Sequence, residues 1–451
     1  MIFRPETGPL HAPSIGFAAL ILAVMAAGLT NPVAAQAKST PAAASPTPSP
    51  APPAALAQSP VPEALPVRGQ LMNERALAPF LRKLAAARTA PVHIVQLGDS
   101  HTAGDLFTGG WRNVWQLRYG AGGRGTMPVG RPTSVYLTMG VTARQTGAWT
   151  LNAMLGPNYA PSGAPLGPSG FTQSIARAGA SLSLSADSSA FTFDSLSFCA
   201  VTGPDAGSVK VTLGQTERSI SLMTPEPGFD CFETRAPELQ TTATIRTLED
   251  KPVSLTSWTT RRGSSGIILS NLGVVSARLQ HWTRLSDPVI AKELTSARPD
   301  LIVMAFGTNE GFFPGLSISE EARLLRAQVQ RLRQSLGMSV PILLLGPPDV
   351  STARADLALP GLPETRTCAD GRYVPGNLAR MRTLQIQLAT ELNLGFWDWQ
   401  GAMGGPCSAS AWTAQGLQRG DYIHFTPGGG LLLGQALAAD LDDARLRLGA
   451  K

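Results

Sequence analysis

Apolar and polar positions follow two different rhythms along this chain. Val92-His93-Ile94-Val95-Gln96-Leu97 is β-branched and nearly continuous, the pattern of a parallel strand covered on both faces. Leu301 to Phe306, Pro341 to Leu345 and Gly395 to Asp398 read the same way, as does GIILSNLGV after Gly263. Helical periodicity is predicted around Asn73 to Ala87, Asp105 to Tyr119, Pro288 to Ser296, Glu320 to Leu336, Asn377 to Leu392 and Gly430 to Leu446. Strands that alternate with helices imply a parallel sheet with helices on both faces. From about Leu151 to Arg262 the rhythm changes to period two, in SLSLSA, AFTFDSLSFCAV, SVKVTLG, SISLMT, TATIRTL and PVSLTSW. Gly, Pro and Asp turns separate these runs, which predicts a β-sandwich inserted into the α/β domain.

The N-terminal segments lie outside either rhythm. An apolar run from Ile15 to Leu29 follows Arg4, and small residues at Val33-Ala34-Ala35-Gln36-Ala37 offer a cleavage site. Residues 1–37 therefore read as an export signal, with a retained membrane anchor as the alternative. The run is shorter than the ~20 residues that a membrane span needs, and no second candidate span follows. Residues 38–66 are dominated by Pro, Ala and Ser and cannot bury enough apolar surface to fold, so an extended spacer is expected. The resulting division is 1–37 signal, 38–66 linker, 67–150 first part of the α/β domain, 151–262 inserted sandwich and 263–451 second part.

Charge adds one exclusion. The formal charge is +6, but no basic run or stripe stands out, which argues against nucleic acid as a partner. Hydrophobic residues make up 43% of the chain and charged residues 15%, enough apolar material for packed cores. Four cysteines fit an oxidising compartment, periplasmic or secreted. They allow several pairings. Cys199 with Cys231, and Cys368 with Cys407, keeps each bond within one proposed region. Neither their spacing nor a neighbouring His suggests a zinc site.

Candidate chemistry emerges by elimination. A serine hydroxyl needs an adjacent base, usually His. Of five histidines, His11 lies in the signal, His93 in a strand, His101 directly after Ser100, and His281 in a segment with no local carboxylate motif. His424 lies in Asp421-Tyr422-Ile423-His424-Phe425-Thr426-Pro427, where an acid three residues earlier on a tight loop can reach the imidazole Nδ1. A surface loop with a chance Asp and His is the plain alternative for this segment taken alone.

Three blocks then occur in order: Gly98-Asp99-Ser100-His101 after the first strand, Gly307-Thr308-Asn309-Glu310 after the strand ending at Phe306, and Asp421 to Pro427 near the C-terminus. This order resembles the SGNH (GDSL-like) hydrolases. The resemblance implies a flavodoxin-like three-layer α/β/α fold. It implies Ser100 as nucleophile with His424 and Asp421 as its partners. It also implies an oxyanion hole from the N–H groups of Ser100 and Gly273 and the side-chain amide of Asn309. Gly266 lies close enough to Gly273 to compete for that place. Glu310 stands where the family often has Asp. Asp99 reads as ordering its turn, while His101 and Asp105 are open to either a structural or a substrate-contacting role.

The longer block Gly98 to Asp105, the Gly-rich stretch Gly120 to Gly125, the inserted sandwich and FWDWQGAMGG together look like the peptidoglycan O-acetylesterases. These carry an inserted domain resembling a carbohydrate-binding module. That resemblance implies hydrolysis of acetyl esters on muramic acid, with acetylated cell-wall polysaccharide as substrate and no metal or cofactor. A monomer without an integral span after signal removal is expected. Trp397 and Trp399 could stack on sugar rings or belong to the core. Three alternatives remain: an esterase for another exported acetylated polysaccharide, an O-acetyltransferase, and a non-catalytic glycan-binding protein.

Overall fold

The computed structural model describes residues 67–337, 339–359 and 366–449. The expected signal and spacer lie outside these residues. A seven-stranded sheet runs in the order Leu71–Met72, Gly395–Trp397, Ile342–Leu345, Leu301–Ala305, Pro91–Gly98, Gly266–Gly273, Ala121–Gly123. All neighbouring strands are parallel except the outermost pair, Leu71–Met72 against Gly395–Trp397.

Alternate residues of the central strands feed two separate cores. Val95, Leu97, Leu272, Ile302, Met304 and Leu344 face the helices Asp287–Ala297, Ile318–Leu336 and Gly376–Glu391. Ile94, Ile267, Leu269, Val303 and Leu343 face the helices Ala78–Ala85, Leu106–Tyr119 and Pro427–Arg447. The continuous apolar runs therefore reflect burial on both faces, and the architecture is the three-layer α/β/α sandwich.

The chain leaves this sheet after Ala121–Gly123 and returns to it at Gly266–Gly273. Between them stand two antiparallel sheets. One runs Thr216–Ser221, Ser208–Leu213, Thr242–Thr247, Ser181–Ala186, Val141–Thr146; the other runs Gly228–Gln240, Phe193–Thr202, Val253–Arg261, Phe171–Ile175, Thr150–Ala153. They share one apolar core, with Leu184, Val211 and Ile245 from the first facing Phe198, Leu255 and Trp258 from the second. Gly125–Pro128 pairs with Val253–Arg261, so these sheets also take in residues that the sequence assigns to the α/β part before 151. GTMP shows no apolar–polar alternation, and VTARQT shows it only from Val141 to Arg144, too briefly to mark a strand.

Two disulfides join Cys199 to Cys231 and Cys368 to Cys407. The first links residues directly opposite in register on adjacent strands. Trp397 and Trp399 are fully buried: the first donates from Nε1 to Asp440 at 2.9 Å, and the second stacks on Phe107 and Phe425. They are core residues. Among the described residues, no helix is long and apolar enough to cross a membrane.

Asp105 sits at the start of the Leu106–Tyr119 helix and is completely buried. Its carboxylate takes 2.7 Å bonds from Arg112 Nη2 and Arg124 Nη2, and Met139 N–H donates to it at 2.9 Å. Both guanidiniums are buried too; Arg112 Nε also donates to Leu269 O, and Arg124 Nη2 to Asn271 Oδ1. Asp105 is thus structural, tying the segment after Ser100 to the central sheet and to the start of the insertion. Asp105→Ala leaves two buried guanidiniums without their carboxylate and is expected to cost about 3–5 kcal/mol. Urea unfolding checks this; an unchanged midpoint would contradict the assignment.

Candidate active site

Parallel register sets three strand ends level: Gly98 pairs with Gly273 on one side and with Ala305 on the other. The turns after two of these ends, Gly98 and Ala305, carry the first two sequence blocks. After Gly98, Asp99 caps the short helical turn Ser100–Ala103, its side chain accepting from His101 N–H at 2.9 Å. Ser100 therefore opens a helix, where backbone N–H groups have no intrahelical acceptor.

Gly273 packs directly on this turn. A Cβ there would stand 2.6 Å from Asp99 O and would collide with Ala103 N, so only glycine permits the approach. Gly266, the competing glycine, pairs with Pro91 at the opposite end of the strand, far along the sheet from Ser100.

Asn309 comes from the turn after Ala305. Its Nδ2 donates to Ala277 O at 3.0 Å and lies 3.4 Å from Asp99 Oδ2. Its amide is thereby held against the residue preceding Ser100. Glu310 braces the same turn, with Oε1 accepting from Leu279 N–H at 2.7 Å and Oε2 from Gly307 N–H at 3.0 Å. An acid three residues after the turn glycine is the capping-box spacing, a signal present in the sequence.

The last segment arrives from outside the sheet. Thr426 caps the helix Pro427–Arg447, whose first turn holds Gly428, Gly429 and Gly430, so the helix starts three residues earlier than its periodicity suggests. Just ahead of that cap, Gln418 bridges to Phe425, and Gln418 Nε2 donates to Asp349 O at 3.0 Å. Tyr422 takes a left-handed conformation (φ 59°) that turns the chain between Asp421 and His424.

These supports bring three side chains together. His424 Nε2 lies 3.0 Å from Ser100 Oγ, and His424 Nδ1 lies 2.8 Å from Asp421 Oδ2. Asp421 Oδ1 also accepts the N–H groups of Ile423 and His424, each at 2.9 Å. Burial pushes Asp421 upward, but these hydrogen bonds and the imidazole outweigh it, holding the carboxyl below its ordinary value. An ionised Asp421 on Nδ1 keeps a proton there and leaves Nε2 free to accept one from Ser100.

His101 does not share this relay. Its ring lies 5.5 Å from that of His424 and also packs near Trp399 and Phe425. Burial, with a smaller contribution from His424, lowers its pKa to about 3. It is a neutral imidazole under the site. His93 is likewise neutral and structural, bonded at 2.7 Å to both Ala297 O and Ser270 Oγ.

A pocket of about 170 Å³ opens beside Ser100 and His424. Leu106, Val135, Leu137, Val275 and Phe425 make most of its wall, and Arg419 joins them at the rim. Val135, Leu137 and Arg419 carry no motif that the sequence alone could reveal; their place depends on where loops cross the sheet edge. Among the described residues, no group of three or more His, Cys, Asp or Glu side chains could hold a metal ion.

No family model and no curated protein matches the chain. Among solved structures, a peptidoglycan O-acetylesterase captured in action at 5 min superposes with a TM-score of 0.68. That alignment covers 84% of this chain and 99% of the other at 23% identity. A family two carbohydrate esterase from Cellvibrio japonicus aligns over 68% of this chain and 99% of its own, at 11% identity and a TM-score of 0.26. A carbohydrate esterase family 2 enzyme with a carbohydrate binding domain, from Corynascus thermopiles (Myceliophthora fergusii), aligns over 68% and 100%, at 15% identity and a TM-score of 0.26. The last two scores are too low to carry an argument. The first shows a shared fold.

Buried carboxyls around the site give a pH signature. Burial pushes Asp99, Glu310 and Glu321 each up to about 7, and Glu293 likewise at the insertion. Unfolded, such groups titrate near ~4, so unfolding releases protons between those values. The contribution is complete at acid pH and disappears as pH rises through about 7. The buried histidines oppose it only below ~6.5, since above that value they are neutral in both states. Thermal unfolding should therefore show a midpoint that falls from pH 6 to pH 8, and Glu310→Gln should flatten the slope. A midpoint that rises over this interval would contradict the burial argument.

Proposed function

We propose that this chain is an exported serine esterase of the SGNH type that removes O-acetyl groups from a carbohydrate, with peptidoglycan as its substrate. The observation that carries the reading is the continuous relay from Asp421 through His424 to Ser100, at 2.8 Å and 3.0 Å. The fold shared with a peptidoglycan O-acetylesterase supports the substrate class. Two disulfides and the apolar N-terminal run support export to an oxidising compartment.

In this mechanism Ser100 Oγ attacks the acetyl carbonyl carbon while its proton passes to His424 Nε2. The negative charge that develops on the carbonyl oxygen meets the N–H groups of Ser100 and Gly273 and the amide of Asn309. Asn309 must redirect one proton from its present acceptors to do so. Collapse of this intermediate breaks the bond to the sugar oxygen, which leaves with the proton from Nε2. Water then repeats the sequence on the acetyl-enzyme: His424 takes its proton, acetate departs, and the proton returns to Ser100 Oγ. The pocket beside Ser100 excludes bulk water from one side of the reacting carbonyl.

Ser100→Ala and His424→Ala are expected to abolish acetate release from O-acetylated peptidoglycan and labelling by a fluorophosphonate probe. Asp421→Asn is expected to retain a little more. Asn309→Ala should lower kcat ~10²–10³-fold with KM nearly unchanged. Near-wild-type turnover by His424→Ala would remove the base from the scheme. A folded wild type that neither releases acetate nor reacts with the probe would instead favour a glycan-binding protein.

A further inference from the structure

Two residues separate Asp421 from His424, and both are held by a small structure that lies apart from the two cores of the α/β sandwich. Ile423 packs against a minor core of Val350, Cys368, Val374 and Leu378, and Cys407 packs on the same core. The Tyr422 ring lies under a guanidinium: Arg372 Cζ stands 3.6 Å from the ring centroid. Tyr422 O accepts from Ser351 N–H at 3.1 Å. With φ at 59°, Tyr422 occupies the left-handed region, which a bulky side chain takes only where its surroundings impose it.

Arg372 is delivered by a hairpin that could not stand alone. Its strands, Arg366–Thr367 and Tyr373–Val374, have two residues each, too few for a ribbon to hold itself. Three attachments fix it. Cys368 N–H donates to Arg372 O at 2.7 Å and closes the tip. Tyr373 and Thr352 exchange both backbone hydrogen bonds, each at 2.9 Å, one residue after the Ser351 that holds Tyr422. The disulfide ties Cys368 to Cys407, which precedes the helix Ser408–Ala414. That helix leads back toward His424, because Trp412 O accepts from Leu417 N–H at 2.8 Å and from Gln418 N–H at 3.1 Å. Hairpin, disulfide and catalytic loop therefore form one closed circuit. Neither Arg372, Tyr422 nor either cysteine lines the pocket beside Ser100.

We propose that Arg372 is a positioning residue for the reaction. By stacking on Tyr422 it holds the left-handed turn that aims His424 Nε2 at Ser100 Oγ, and the Cys368–Cys407 bond tethers the hairpin from which it acts. The inference rests on the esterase reading and adds to it a support outside the triad and the oxyanion hole. A guanidinium over an aromatic face is attracted by the quadrupole of the ring. Without that contact the Tyr422 backbone relaxes toward an ordinary conformation, and the peptide units on either side, which carry Asp421 and His424, turn with it. A displacement of ~1 Å at the imidazole costs ~10²-fold in rate, because the 3.0 Å contact with Ser100 is where the proton moves.

Hydrolysis of p-nitrophenyl acetate, with kcat and KM read separately beside the thermal midpoint, tests it. Arg372→Ala should lower kcat about tenfold while KM and the midpoint stay close to wild type. Arg372→Lys should restore part of the loss, since an ammonium also sits on a ring face. Glycine takes a positive φ without strain, so Tyr422→Gly should remove the dependence on the clamp. Adding Arg372→Ala to Tyr422→Gly should then change kcat by less than about twofold. Cys368→Ser with Cys407→Ser should lose kcat at least as far as Arg372→Ala, whereas Cys199→Ser with Cys231→Ser, which opens the bond inside the sandwich, should keep wild-type kcat. If either serine pair fails to fold, the Arg372 and Tyr422 variants decide alone. Wild-type kcat in Arg372→Ala, or an equal loss when it is added to Tyr422→Gly, overturns the inference and leaves the esterase reading intact. So does a loss in Arg372→Ala that comes with a matching fall in midpoint, which would make the residue a fold support only. Absence of turnover by folded wild type overturns both.

Discussion

Gly98 lies level with Gly273 on one side and with Ala305 on the other. A parallel sheet holds that relation through its hydrogen-bond ladder, and a shift in either pairing would move the whole arrangement. The Ser100 turn, the end of the neighbouring strand and the Asn309 turn thus leave the sheet at the same height, with their backbone donors on one rim. Nothing in the local sequence of any one block could achieve this.

The remaining member of the site is brought in by helix packing. The helices that follow Ser100 and His424, Leu106–Tyr119 and Pro427–Arg447, pack against each other on one face of the sheet. At Gly434 a Cβ would stand 2.6 Å from Phe107 O, so the contact exists only because the side chain is missing. The buried Asp105 cluster fixes the start of the first helix, and the Thr426 cap fixes the start of the second. The 3.0 Å contact between Ser100 and His424 is the sum of these two anchors.

Much of this was legible because the two rhythms of the chain have different causes. Strands covered on both faces read as unbroken apolar runs, and polar turns after them mark where a parallel sheet exposes chemistry. The blocks at Ser100, Asn309 and Asp421–His424 stand out for that reason. Ala121–Gly123 has almost no side chain to carry a pattern, and Leu71–Met72 is too short to show one. The start of the insertion is hidden because Gly125–Pro128 does not alternate and Val141–Thr146 alternates over only four residues. Val135, Leu137 and Arg419 reach the pocket through tertiary placement alone, whereas the Glu310 brace left a spacing that local capping rules describe.

Chain order has a further consequence for biogenesis. The Pro91–Gly98 strand is synthesised early, but both of its partners, Gly266–Gly273 and Leu301–Ala305, come after the entire inserted sandwich. During translation the sandwich can complete its own pairing while this strand still has two open edges and two apolar faces. Such a segment invites pairing with another nascent chain, and closing so long a loop is slow. The strand order therefore makes incomplete chains prone to association, and in-vitro refolding yield should be limited by concentration rather than by final stability.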